Sequence, residues 1–219
     1  MKKIFSSLPV KLLIGIVIGI IFGQIFPENV MSVVVPLKNI LGQVINFVVP
    51  LIVIGFIAPS ITKLGNNASR MLGVALMVAY TSSVLAALLS MGAGYAIIPN
   101  LPVVSEIEGL KELPEDVFGL TIPQIMNVMS ALAFSILIGL AAIWTKAKTI
   151  ITILDEFQNI VLAIVSKIII PILPVFIAFT FTCLSYDGTI TKQLPVFVSA
   201  VVIVMIGHYI WLTVLYVVA

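Results

Sequence analysis

The 219 residues are 61% hydrophobic and 9% charged, with 11 basic and 9 acidic side chains and a formal net charge of +2. A soluble domain carries about a quarter of its residues charged, so this composition belongs in lipid. The dispersed Lys and Arg exclude a nucleic-acid footprint, and a lone cysteine, Cys183, excludes a disulfide framework and a cysteine-rich metal site.

The N-terminus, MKKIFSSLPVKLLIGIVIGIIFG, places an apolar run after basic residues as a signal peptide does. No small-x-small cleavage site follows, so the run is read as a retained first span over residues 12–26. Gly15, Gly19 and Gly23 fall every fourth residue and share one helix face, where a second backbone can approach closely. The plainer alternative is a lipid-facing helix that tolerates glycine. Pro27-Glu28-Asn29 closes this span and Pro36 precedes the second. Residues 39–62 then run without a charged side chain between Lys38 and Lys63. A helix of that length covers about 36 Å, enough to cross a hydrocarbon core of about 30 Å with some tilt. Pro50, near its middle, removes one backbone donor, which a membrane bundle tolerates.

After the polar loop GNNASR, a third span over residues 71–98 is long enough to require tilt or projection. Its middle, Ala79-Tyr80-Thr81-Ser82-Ser83, is the most polar patch inside any span. Residues 100–121 read as an exposed loop with Pro102 and Pro114, carrying Glu106, Glu108, Glu112, Glu115 and Asp116 against Lys111. The fourth span covers residues 122–144 and ends at Lys146 and Lys148. Residues 150–184 are too long for a simple crossing. Asp155, Glu156, Gln158 and Asn159 place the first half at the interface, with the crossing itself from Ile168. Lys167 then sits at the membrane edge with its stem snorkelling, or, in the rival reading, inside the bundle as a functional charge. A polar turn at residues 186–193 leads into a sixth span over residues 194–219.

Six crossings alternate by charge. With the N-terminus cytoplasmic, that side holds Lys2, Lys3, Lys11, Lys63, Arg70, Lys146, Lys148 and Lys167. The opposite side holds Lys38, Lys111, Lys192 and most of the acids. The positive-inside rule therefore predicts a multi-pass protein of the plasma or cell inner membrane with both termini in the cytoplasm. Spans one to three and four to six form two groups of three, the plan of inverted-repeat transporters. VVPLIVIGFIA and IIPILPVFIAF carry a weak internal echo of that repeat.

Enzyme signatures are missing, so no catalytic residue is assigned: there is no nucleophile elbow, His-Glu-x-x-His pair, P-loop or Cys-x-x-Cys. The acidic loop lacks His and metal-ligand spacing and reads as a solvated surface. His208, the sole histidine, stands in the sixth span beside Tyr209. It is either a proton or hydrogen-bonding site or a neutral packing residue satisfied by a backbone carbonyl. Thr81, Ser82 and Ser83 offer hydroxyl oxygens of the kind that coordinate Na⁺, or bond back to their own helix. No Asp or Glu lies inside the predicted crossings beside them, so they make at most a partial cation site.

PLKNILGQVINFVVPLIVIGFIAPS, TKLG and AYTSSVLAALL resemble the second and third helices of the dicarboxylate/amino acid:cation symporters, the glutamate-transporter homologues. TIPQIMNVMSALAFSILIGLA resembles the end of that family's fourth helix, and LDEFQNIVLAIVSKIIIPILPVFIAF its fifth. The resemblance implies an all-α polytopic fold, the N-terminal part of an elevator-type carrier assembled as a homotrimer. Residues 1–66 and 122–186 would be scaffold, residues 100–121 an extracytoplasmic loop, and residues 67–99 and 187–219 helices of a mobile transport unit. The paired hydroxyls that help hold one sodium ion in the family map onto Ser82 and Ser83. The family's serine-rich hairpin, Asn-Met-Asp-Gly-Thr helix, second hairpin and final helix are not found in these residues. The expected function is cation-coupled symport of a dicarboxylate or amino acid, with Na⁺ or H⁺ as coupling ion and no other cofactor. These residues are expected to be an N-terminal half that binds no solute alone. A trimerising membrane module that carries nothing is the second reading.

Overall fold

The computed structural model describes residues 7–97, 111–115 and 119–218, and these contain helices and no strand. The helices are α1 (Leu8–Ile25), α2 (Glu28–Lys63), α3 (Ala68–Ile97), α4 (Val128–Trp144), α5 (Lys148–Ile164), α6 (Ile170–Tyr186) and α7 (Thr189–Val218). A π-helical turn, Val165–Ile169, joins α5 to α6 without a break, giving one rod over Lys148–Tyr186. This rod, α1, α2, α3 and residues 197–217 of α7 are each long and apolar enough to cross a bilayer. Helix α4 is shorter, with 17 residues. The chain is an all-α polytopic membrane protein.

Several predicted boundaries move. Pro36 does not precede the second helix; it lies inside it with Pro50 and Pro59, all three buried. Packing on both sides holds this 36-residue helix together across the missing donors. The fourth helix starts at Val128 rather than at residue 122, because Pro123 interrupts the approach and the Asn127 side chain caps the start, accepting from Met129 N at 2.9 Å. The turn before α7 shortens to Asp187 and Gly188, whose φ of +87° suits glycine. Glu106, Glu108, Asp116, Pro102, Lys2 and Lys3 lie outside the described residues. Of the acidic loop, Leu113 packs against the core cluster Met31, Val34, Val35 and Cys183, while Glu112 and Glu115 are exposed.

The helices divide into two compact units, residues 1–72 with 112–187, and residues 73–111 with 188–219. In the first, α1 and α6 run parallel. Gly15, Gly19 and Gly23 are buried and meet Pro174, Ala178 and Thr182 in turn, so the offset stays constant along the pair. A Cβ on Gly15 would stand 2.8 Å from the Pro174 carbonyl oxygen, and on Gly23 2.6 Å from Ser185 Cβ. Ser185 Oγ also donates to the Ile20 carbonyl at 2.8 Å. In lipid, exclusion of apolar surface from water cannot bring helices together, so such backbone proximity and interhelical hydrogen bonding supply the association.

Helix α2 runs antiparallel to the α5–α6 rod: Gly42 meets Phe176, Gly55 meets Val161, and Lys63 meets Asp155 and Gln158. The first half of the rod is therefore packed along α2. Asp155 and Gln158 serve the end of α2. Lys63 Nζ stands 3.2 Å from Asp155 Oδ1 and donates to Gln158 Oε1 at 3.1 Å. Lys167 is exposed on the π turn, and the α1 offset puts exposed Lys11 near its level. Both stems can snorkel along open surface.

Helices α2 and α4 run parallel. Gly139 packs on Ile61 and the Ala58 carbonyl, while Gln43 faces residues 120–122. The Gln43 amide donates to the Leu120 carbonyl at 2.7 Å and accepts from Ile122 N. One side chain thus satisfies a donor and an acceptor of backbone that is not helical, an obligation no lipid can meet.

Candidate functional site

The second unit holds the candidate site. On α3 the half-buried positions Ser82, Ala86, Leu89, Ala93 and Ile97 recur at helical spacing and form one stripe. On α7 the half-buried positions Ile203, Gly207 and Trp211 form another, spaced by four. A recess of about 450 Å³ opens beside the two stripes. Most of its wall is apolar; its polar groups are Ser90 of α3 and His208 and Trp211 of α7.

Small residues create this space. Ala86, Ala93 and Gly94 line one side and Ala200 and Gly207 the other. A Cβ on Gly207 would meet nothing within 4 Å, so that glycine adds to the opening rather than permitting a close contact.

The candidate residues separate. His208 lines the recess, with its ring edge-on to Tyr209 at a centroid distance of 6.2 Å. Ser82 does not line it, but sits on the same α3 stripe one turn before Ala86. Ser83 is exposed and off that stripe. The two serines therefore present hydroxyls to different directions, about 100° apart on an α-helix. Ser90 was not singled out in the sequence. Its spacing of eight from Ser82 was the available signal, masked by the apolar residues around it.

Chemically, the recess offers a hydroxyl that donates and accepts, an imidazole and an indole N–H in an otherwise apolar wall. Its lining contains no carboxylate to balance a bound cation. Among the described residues no group of three or more His, Cys, Asp or Glu is placed to hold a metal ion. Ser82 and Ser83 can lend oxygens to a cation only as part of a larger set. The recess is thus a mostly apolar concavity with three hydrogen-bonding side chains on its wall.

A family described as the sodium:dicarboxylate symporter family matches the chain over residues 8–219. No curated protein and no solved structure matches it.

Proposed function

The chain belongs to the sodium:dicarboxylate symporter family, and we propose that it forms the frame and part of the moving unit of a cation-coupled carrier for a dicarboxylate or an amino acid. In this reading α1, α2, α4 and the α5–α6 rod form the static scaffold. Helices α3 and α7 belong to the mobile unit, three such chains assemble, and both ends face the cytoplasm. The observation carrying it is the division of contacts. The four scaffold elements cluster together, whereas most of α3 and all of α7 fall in the other unit.

The recess gives the second unit its role. Ser82 contributes an oxygen to a sodium ion, with Ser83 beside it, and His208 supplies a proton or a hydrogen bond at the recess wall. The remaining cation ligands and the solute-recognising groups come from segments that these residues do not contain. The chain catalyses no chemical conversion.

Sodium-gradient-driven uptake of succinate and aspartate by vesicles holding these 219 residues tests the reading. The expected result is no uptake above empty vesicles, with a trimer seen by crosslinking and native mass spectrometry. Uptake would overturn the assignment of solute recognition to other segments. A strict monomer would overturn the assembly.

A further inference from the structure

We infer that the junction of α3, α4 and α5 is a binding site for the headgroup of an anionic phospholipid, built from Arg70, Lys146 and Lys148 around Trp144. Trp144 Nε1 donates to Ser69 Oγ at 3.3 Å, which ties the last residue of α4 to the first turn of α3. That bond brings the start of α3, where Arg70 follows Ser69, to the end of α4, where Lys146 and Lys148 follow Trp144 closely in the chain. Lys146 takes a left-handed backbone with φ +52°, reversing the chain within one short turn so that Lys148 opens α5 at the same end.

Charge and exposure point the same way. Arg70, Lys146 and Lys148 are exposed, and Trp144 is 67% exposed. Residues 64–72 and 142–150 contain no Asp or Glu. The nearest carboxylate along α5, Asp155, faces Lys63. Three exposed cations thus belong to one helix junction whose own segments carry no acid, and each near a membrane surface attracts an anionic headgroup. An exposed indole at a helix end favours the headgroup level, so the phosphate of a lipid lies within reach while its chains follow α4. A purely topogenic role for these cations requires charge but no shared junction, so it predicts no preference among lipids at Trp144.

The test uses the full chain carrying Trp211→Phe, which leaves Trp144 as the sole indole. Its fluorescence is quenched by brominated phosphatidylglycerol or, at equal mole fraction, brominated phosphatidylcholine in phosphatidylcholine vesicles. The site predicts a binding constant about tenfold higher for the anionic lipid, falling to about one in Arg70→Gln/Lys146→Gln/Lys148→Gln. Where that variant fails to insert, Arg70→Gln alone should lower the ratio about threefold. A ratio near one in the unsubstituted cluster, or an undiminished ratio in the variants, overturns the inference. Loss of the preference in inorganic phosphate but not in chloride of equal ionic strength would assign the cluster to a free anion and overturn the lipid.

Discussion

Gly19 of α1 lies so close to the backbone of Ala178 on α6 that no β-carbon fits between them. A Cβ there would press on the Ala178 carbonyl oxygen and stand 2.9 Å from Phe181 Cβ. A backbone carbonyl cannot swing aside as a flexible side chain does, so Gly19→Ala must push the two helices apart. The expected cost is about 1–3 kcal/mol, seen as a lower thermal midpoint in detergent. Gly73→Ala is the control. Nothing lies within 4 Å of its Cβ, so the midpoint should hold or rise.

Gln43 closes both ends of a short stretch of backbone through one amide. Gln43→Glu keeps an acceptor for Ile122 N and loses the donor to the Leu120 carbonyl; Gln43→Ala loses both. Each bond contributes about 0.5–1.5 kcal/mol net, so alanine should cost roughly twice what glutamate does at most. Amide exchange at Ile122 checks the order: slowest in the parent, fastest in the alanine variant.

Lys63 and Asp155 join the ends of two antiparallel helices, yet their side chains are 58% and 43% exposed. Water screens such a pair. A double-mutant cycle with Lys63→Ala and Asp155→Ala should give a coupling of about 0.2–1 kcal/mol, shrinking in high salt. A coupling several times larger would mean that the pair is desolvated in the assembled protein.

Cys183 is 3% exposed in the cluster with Met31, Val34 and Val35. In the folded chain a membrane-permeant maleimide should label it at least about a hundredfold more slowly than in denaturant. Fast labelling of the folded protein would show that the end of the α1–α6 pair opens.

What the sequence disclosed was periodic. The fourth-residue spacing of Gly15, Gly19 and Gly23 offered a close helix contact or a glycine-tolerant lipid-facing helix, and their burial against α6 decides for the contact. The spacing could not name α6 as the partner, since the matching residues, Pro174, Ala178 and Thr182, are unremarkable singly. Proline misled twice. Pro36 looked like a boundary, although burial against neighbours lets α2 continue through it, whereas Pro123 looked internal and stands in non-helical backbone. The π turn at Val165–Ile169 left no signature, since five apolar or polar residues in a helix read alike whether one hydrogen bond spans four or five positions. Within the second unit, residue type found His208 and Ser82. Their placement relative to the recess depends on a helix pair separated by more than a hundred residues, which no local pattern encodes.

The steady offset between α1 and α6 has a bearing on topology that requires no membrane to be drawn. Two rods pointing the same way must be separated by an odd number of passes, and the like direction of α2 and α4 imposes the same parity on the chain between them. Sidedness is therefore not a set of independent unknowns. Locating a single loop, such as Asp187-Gly188, by one impermeant label fixes the facing of the terminus before α1 and of the loops flanking α2 and α4 at once.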